Sequence, residues 1–399
     1  DPQGLARPGR WGNCRGARRP APGCLHSRPV EKDFARRVRP ALEAVVARIV
    51  PGATLLGAEP FEIDDAVEED AGTTKGVGYG IPLRLRVRAV DGTERSLVFH
   101  TAKSDQFGHD RRADRAADLL LAFDRFDRIP GHVRALDVGA ISRDGTGLVS
   151  LADAGEFYLV TSFADGHIYA DDLRRIAQRG AALETDVATT EALARRLVDM
   201  HSEKQTDPMR YQRAVRDLVG SGEGIFGLLD AYAPDVPAAP PARLQAIERQ
   251  VLAWRWRLKD RSERLCRTHG DYHPFNVIVS DAGDISLLDA SRGCLGDPAD
   301  DVTCMAINYV FFALEHPGAW TGAFRQLWHR FWSVYLSESG DRELLEVCAP
   351  FLAWRGLVVA NPVWYPNVDA AARERVFHLI ERALGAERFD ASFADEVFA

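Results

Sequence analysis

Lysine is nearly missing from this 399-residue chain, with five (Lys32, Lys75, Lys103, Lys204 and Lys259) among 50 Lys and Arg. In an Ala-rich sequence that bias follows from the codons of a GC-rich genome and carries no mechanism. The six cysteines (Cys14, Cys24, Cys266, Cys294, Cys304 and Cys348) form no C-x-x-C pair. They indicate neither a zinc site nor a disulfide framework, and they fit a reducing cytoplasm. No apolar run reaches the roughly 18 residues of a membrane span. The longest candidate, Met305 to Leu314, is interrupted by Asn308 and stops at Glu315-His316-Pro317, so no membrane partner is expected. Positive charge is also short. The net charge is −8, and residues 1–30 hold six Arg against one Asp, so the remainder is more acidic still. That balance disfavours binding to nucleic acid, whose affinity comes mainly from neutralised phosphates, and favours a neutral or cationic small molecule.

What is present is an ordinary globular composition, 46% hydrophobic and 27% charged, which argues against general disorder. The length exceeds one compact core and predicts two lobes. Residues 1–30 are dense in Pro, Gly and Arg without periodicity, and read as a disordered basic tail or leader. From Glu31 to Val50 an apolar stripe at helical spacing (Phe34, Val38, Leu42, Val45, Val46, Ile49) ends at Pro51-Gly52. Strand-like stretches follow near 61–67, 81–90 and 96–101, the last two joined by the hairpin signal Asp91-Gly92. A helix over 112–126 and strands near 135–141 and 157–163 come next. Beyond about residue 170 the pattern is helical (190–204, 242–258, 323–336, 343–359, 370–384), apart from a short hairpin at 277–288. The expected organisation is a nucleotide-binding lobe over 31–164 and a helical catalytic and substrate lobe over 165–399. The fold class is α+β, with an antiparallel sheet first and helices second.

The segment THGDYHPFNVIVSDAGDISLLDASRGCLGDPADD, residues 268–301, carries the chemistry. The strand Val277-Ile278-Val279, the turn Ser280 to Asp284 and the strand Ile285 to Leu288 form a hairpin. If Val279 pairs with Ile285, Asn276 falls beside Leu288 and Asp289 at the open end of the ladder, on a loop that also holds Asp271. One carboxylate and one amide oxygen suit magnesium, a hard octahedral cation that takes its other ligands from water and substrate phosphates. A second carboxylate, five residues before the Asn, can accept a hydroxyl proton. Phosphoryl transfer requires this division of labour, and D-x-x-x-x-N followed by Asp matches the protein-kinase catalytic loop.

HGDYHPFN, followed by LLDAS and GDPADD, resembles the aminoglycoside phosphotransferase and choline kinase-like family, which shares the two-lobed protein-kinase fold. The core match spans about 35 residues. The resemblance implies a magnesium-dependent enzyme that moves the γ-phosphoryl of ATP or GTP to a hydroxyl of a small molecule. It implies Asp271 as catalytic base, Asn276 and Asp289 as magnesium ligands, His269 as a scaffold residue, and Asp301 as a brace of the catalytic loop. His201, at the end of a helix, reads as structural. A protein substrate is disfavoured because Gly270 replaces the usual Arg and no A-P-E segment follows Asp289. A catalytically silent nucleotide-binding protein is the alternative from another class.

The nucleotide side departs from the family pattern. The glycine-rich stretch 72–80, with Gly76 and Gly78, lies where this fold places a loop over the phosphates, and a plain hairpin connection is the competing reading. Aligning Leu97-Val98-Phe99-His100 with the kinase V-A-I-K motif puts His100 where a Lys is expected. Lys103 lies three residues on, so either side chain could meet the phosphates. Asp114 is the best acidic partner on the following helix. Backbone near Ser162 to Ala164 would meet the purine, by family analogy. For the acceptor, Glu223, Asp230, Asp235 and Asp369 are candidate carboxylates, and Trp364-Tyr365 are candidate pocket aromatics.

Overall fold

The computed structural model describes residues 28–60, 82–105, 107–290, 292–314, 316 and 318–399. The described chain divides into two compact units, one ending at Leu159 and the other beginning at Val160, five residues before the boundary expected from the sequence.

The first unit is β-rich. Helix α1 (Arg28–Ile49) starts three residues earlier than the sequence predicts, and residues 1–27 of the expected tail lie outside the described residues. Strands β1 (Thr54–Pro60), β2 (Leu83–Arg88) and β3 (Glu94–Phe99) form an antiparallel sheet in that order. Alternation decides its inner face: Leu83, Leu85 and Val87 point inward while Arg84, Arg86 and Arg88 are exposed. Against that face α1 packs Val38, Leu42 and Val46, which are fully buried together with Leu55. The predicted Asp91-Gly92 turn joins β2 to β3, with Gly92 at φ +83° and the Asp91 carboxylate accepting from the Thr93 N–H at 2.9 Å. Helix α2 (Arg112–Arg125) and a two-stranded ladder of β4 (Gly139–Ile141) and β5 (Leu148–Ser150) complete the unit. The strand expected near 61–67 lies outside the described residues, and β1 precedes it.

The strand expected over 157–163 is absent. That run carries no regular structure, and Tyr158, Leu159, Val160 and Phe163 are each more than four-fifths exposed. β-prone residues become a strand only where a neighbouring edge accepts their backbone groups, and among the described residues this segment has no ladder partner.

The second unit is helical. After β6 (His167–Ile168) come α3 (Tyr169–Arg179), α4 (Glu184–His201), α5 (Pro208–Gly220), α6 (Ile225–Asp230) and α7 (Pro241–Leu258). The short strands β7 (Cys266–Arg267), β8 (Val277–Val279), β9 (Ile285–Leu287) and β10 (Leu295–Gly296) frame the catalytic-loop segment. The chain closes with α8 (Pro298–Leu314), α9 (Arg325–Ser339), α10 (Leu344–Val347), α11 (Ala349–Val359), α12 (Ala370–Gly385) and α13 (Phe393–Val397). One predicted helix, 343–359, is therefore two, separated at Cys348. Helix α8 is the centre of the core: from Val302 to Ala313 every residue is buried, and α3, α4, α9 and α11 pack around it. Its apolar residues face all sides, as a helix surrounded by others requires. Among the described residues no helix is long and apolar enough to cross a membrane.

A buried ion network ties the β7–β10 frame to this core. Arg264 donates to both carboxylate oxygens of Asp297, at 2.8 and 3.0 Å, and to both of Asp341, at 2.9 Å each. The Tyr211 hydroxyl adds a bond to Asp297 at 2.9 Å. Burial alone would raise the Asp297 carboxyl, but Arg264 and the other donors outweigh it and hold the group below its ordinary value. Removing one partner leaves the other charges buried and unpaired, so Arg264→Ala should cost about 3–5 kcal/mol in urea unfolding. Because Asp297 titrates lower folded than unfolded, its stabilisation is present above about pH 4 and is lost as pH falls through the lowered value. Urea midpoints of the native chain should therefore drop with acidification in that window, and those of Arg264→Ala should drop less.

Candidate functional site

The catalytic loop runs from Thr268 to Asn276 between β7 and β8. Gly270 sits at φ +81°, a conformation that costs L-residues steric strain, and a Cβ there would stand 3.2 Å from the Arg292 Cβ. The turn it makes aims the N–H groups of His269 and Gly270 at α8. There they donate to the two carboxylate oxygens of Asp301, at 2.8 Å each. Asp301 is fully buried, with His201 Nε2 at 3.1 Å, and the other ring nitrogen of His201 is bonded to the Tyr335 hydroxyl at 2.8 Å. Burial opposes ionisation of Asp301, but His201 and the two backbone donors prevail and depress its titration. The side chain expected to brace the loop has that geometry, and His201 is part of the brace.

Asp271 follows, half-buried, with its carboxylate in a cationic setting. Its Oδ1 accepts from Arg355 Nη1 at 2.9 Å and from Arg292 Nη1 at 3.1 Å, while its Oδ2 lies 3.4 Å from His273 Nε2. Desolvation would raise this carboxyl, yet His273, Arg355 and Arg292 together hold it far below the ordinary carboxylate range. Asp271 is thus ionised at neutral pH, able to accept a hydrogen bond from an acceptor hydroxyl.

Asn276 is fixed by its own amide. Nδ2 donates to the Asp271 carbonyl at 3.1 Å and stands 3.4 Å from Asp271 Oδ2, so Oδ1 is the atom left to accept. The hairpin register is the one counted from the sequence: Val279 pairs with Ile285, Val277 with Leu287, and the Leu288 N–H donates to the Asn276 carbonyl at 2.9 Å. Asp289 comes next, exposed and at φ +55°. Among the described residues it is the sole non-glycine in the left-handed region, a conformation that Asp adopts more readily than most residues. One amide oxygen and one carboxylate are hard donors and fit a magnesium ion that completes its shell with water and phosphate. Among the described residues no group of three or more His, Cys, Asp or Glu could form a closed metal cage, which such an ion does not need.

The nucleotide candidates are more scattered. Gly76 and Gly78 lie outside the described residues. His100 is exposed one residue past β3, and Lys103 is exposed in the loop that follows. Asp114 lies in the first turn of α2, where its carboxylate accepts from the Arg111 N–H at 2.9 Å as a helix cap. Ser162 and Ala164 fall in the irregular segment after Val160.

Sequence reasoning missed the two guanidinium groups beside Asp271. Arg355 is buried in the middle of α11; Arg292 lies on the loop after β9; Trp354 has Arg355 Cζ 3.8 Å and Arg292 Cζ 4.6 Å from its ring centroid. Glu223, one of the candidate acids, accepts from Arg292 Nε at 3.1 Å, and its carbonyl accepts from Trp354 Nε1 at 2.8 Å. Asp369 is instead the N-cap of α12, and Tyr365 packs its ring 4.7 Å from Phe311. A signal for Arg355 was available: it is the one charged residue in the apolar helix Ala349–Val359, and charges enter apolar helices only with partners. Because Asp301 shapes the loop through two N–H groups, Asp301→Ala should lower kcat of whatever reaction Asp271 serves by about a hundredfold and cost roughly 3–5 kcal/mol, read by turnover and chemical unfolding.

The APH family model, described as a phosphotransferase enzyme family, matches residues 82–340. No curated protein matches the chain. Among solved structures it is similar to a glucosamine kinase, at 14% identity and a TM-score of 0.40, over 82% of this chain and 95% of that one. It is also similar to choline kinase LicA from Streptococcus pneumoniae (12%, TM-score 0.32, covering 87% and 98%). A third is aminoglycoside phosphotransferase APH(3'')-Id from Streptomyces rimosus ATCC10970 (18%, TM-score 0.31, covering 69% and 89%). The family model spans well over half of the chain and includes the whole catalytic loop, its Asp301 brace and the Asn276–Asp289 hairpin: this chain belongs to the APH family of phosphotransferase enzymes.

Proposed function

We propose that the chain is a magnesium-dependent kinase of a hydroxylated small molecule, with ATP or GTP as donor. The observation that carries the reading is an ionised Asp271 on the same loop as Asn276, whose free amide oxygen is followed across the hairpin by the exposed Asp289. In the reaction the acceptor oxygen forms a bond to the γ-phosphorus. The bond from that phosphorus to the bridging oxygen breaks, and its electron pair leaves on the nucleoside diphosphate. Asp271 orients the acceptor hydroxyl and takes its proton. A carboxylate held so far toward ionisation is a weak base before the transition state, so its main contribution is alignment, and the proton moves late. Magnesium, held by Asn276 and Asp289, would supply charge neutralisation at the phosphates.

The reading assigns nucleotide binding to residues 31–164, with Gly76 and Gly78, His100 or Lys103, and Asp114 on that side, and backbone contact at Ser162 and Ala164. Catalysis and acceptor binding belong to 165–399. It places the protein in the cytoplasm, in keeping with the free thiols of Cys266, Cys294, Cys304 and Cys348. The acceptor is a hydroxylated metabolite or antibiotic of the kind an aminoglycoside phosphotransferase modifies.

The test is transfer of labelled γ-phosphate from ATP and GTP to a panel of kanamycin, choline, homoserine and glucosamine, with and without magnesium. Asp271→Asn should lower kcat by about a thousandfold and leave nucleotide affinity within about threefold. Asp289→Ala should weaken magnesium-dependent nucleotide binding by about tenfold or more, read by calorimetry. Nucleotide binding without any transfer, unchanged by Asp271→Asn, would instead identify a catalytically silent binder.

A further inference from the structure

We infer that Arg355 is a positioning residue for phosphoryl transfer: it clamps one oxygen of Asp271 and so fixes which oxygen meets the acceptor hydroxyl. This rests on the reading of Asp271 given above.

Three of the bonds made by Arg355 converge on the catalytic loop and its support. Nη1 donates to Asp271 Oδ1 at 2.9 Å, Nη2 donates to the Gly270 carbonyl at 2.8 Å, and Nη2 also donates to Asp300 Oδ1 on α8. Arg292 repeats the first two, its Nη1 standing 3.1 Å from both Asp271 Oδ1 and the Gly270 carbonyl. Oδ1 therefore receives two guanidinium N–H groups at 2.9 and 3.1 Å, while Oδ2 has two longer contacts, from Asn276 Nδ2 and His273 Nε2, at 3.4 Å each. A carboxylate held this way cannot rotate about its terminal bond without breaking two charge-assisted hydrogen bonds. Oδ2, held only by these longer contacts, is the oxygen with capacity for the acceptor.

The clamp is itself held rigid. The Arg355 guanidinium lies over the Trp354 ring, Trp354 is tied through its indole N–H to the Glu223 carbonyl, and the Glu223 carboxylate holds Arg292. Packing alone does not account for Arg355. Replacing buried ion pairs by apolar side chains of similar volume is often neutral or stabilising, and among the described residues the buried Nε of Arg355 has no partner. Both Nη groups are directed at Asp271, Gly270 and Asp300. Alignment of a reacting group within a fraction of an ångström is what such an arrangement supplies.

The experiment compares Arg355→Met and Arg355→Lys, alone and combined with Asp271→Asn, on the panel acceptor that gives the fastest turnover. If Arg355 acts through Asp271, Arg355→Met should lower kcat about a hundredfold with KM for nucleotide and acceptor within about threefold. Arg355→Lys, which keeps the charge but loses the two-pronged contact, should recover about tenfold of that loss. In the Asp271→Asn background the Met substitution should cost less than about threefold, since the oxygen it positions no longer carries charge. Native kcat in Arg355→Met, a loss expressed in acceptor KM, or a full additional loss in the Asp271→Asn background would each overturn the inference. Should Arg355→Met fail to fold, Arg355→Lys decides, and native kcat in that variant overturns it. If the native protein itself transfers no faster than Asp271→Asn, the phosphotransferase reading fails and takes the inference with it. If the native protein transfers and the Arg355 variants match it, only the inference falls.

Discussion

A carboxylate with no solvent, Asp301 in the first turn of α8, holds the catalytic loop by the backbone. Its two oxygens are shared among the His269 and Gly270 N–H groups and His201. Tyr272 and Phe275 anchor the loop's far side in the core, but the Gly270 turn itself is held by polar contacts, and an unpaired charge on Asp301 would be prohibitive in that environment. The two requirements satisfy each other. Because the hydrogen bonds go to main-chain atoms on either side of the Gly270 turn, they determine where Asp271 leaves the loop, whatever acceptor it serves. His201 and Tyr335 extend the arrangement into α4 and α9, so the site inherits the rigidity of the helical core.

Upon this frame the electrostatics are layered. Asp300 and Asp301 are neighbours in sequence with opposite fates. Asp301 is ionised by three donors, whereas the titration of Asp300 is pushed up by burial and by the adjacent charge, with Arg355 working against the shift. Arg355 then faces Asp271 and Asp300 together, so one guanidinium ties the loop carboxylate to the core. On the proposed reading magnesium would be held by Asn276, whose amide is bonded to the Asp271 carbonyl, and by Asp289. The acceptor side thus carries fixed cationic groups of the protein beside Asp271, and the candidate acids of the 205–241 segment are partly consumed by them, Glu223 being bonded to Arg292.

Much of this was legible beforehand because short-range rules govern it. The Val279–Ile285 register follows from turn length and alternation, and with it the adjacency of Asn276 and Asp289. The Asp91-Gly92 hairpin and the amphipathic α1 are local in the same sense. The strand expected over 157–163 failed because its stability depends on a partner edge, which no local rule supplies. The helix over 343–359 divides at Cys348 for a local reason that periodicity alone does not show: Pro350, in the first turn of α11, has no N–H to donate into the preceding turn.

Sequence alone determined the phosphotransferase family and the class of fold. H-G-D-x-x-x-x-N and the following Asp bring the proposed base and the proposed metal donors within one loop and one hairpin, where chain connectivity leaves little freedom. Only the tertiary structure decided the company those groups keep. Arg292, Trp354, Arg355 and Glu223 lie 21, 83, 84 and 48 residues from Asp271 in either direction along the chain. They meet because α11 packs against α8 and α6 against α11. Such contacts are selected by burial over the whole core, which is non-directional and leaves no spacing pattern in the sequence to read.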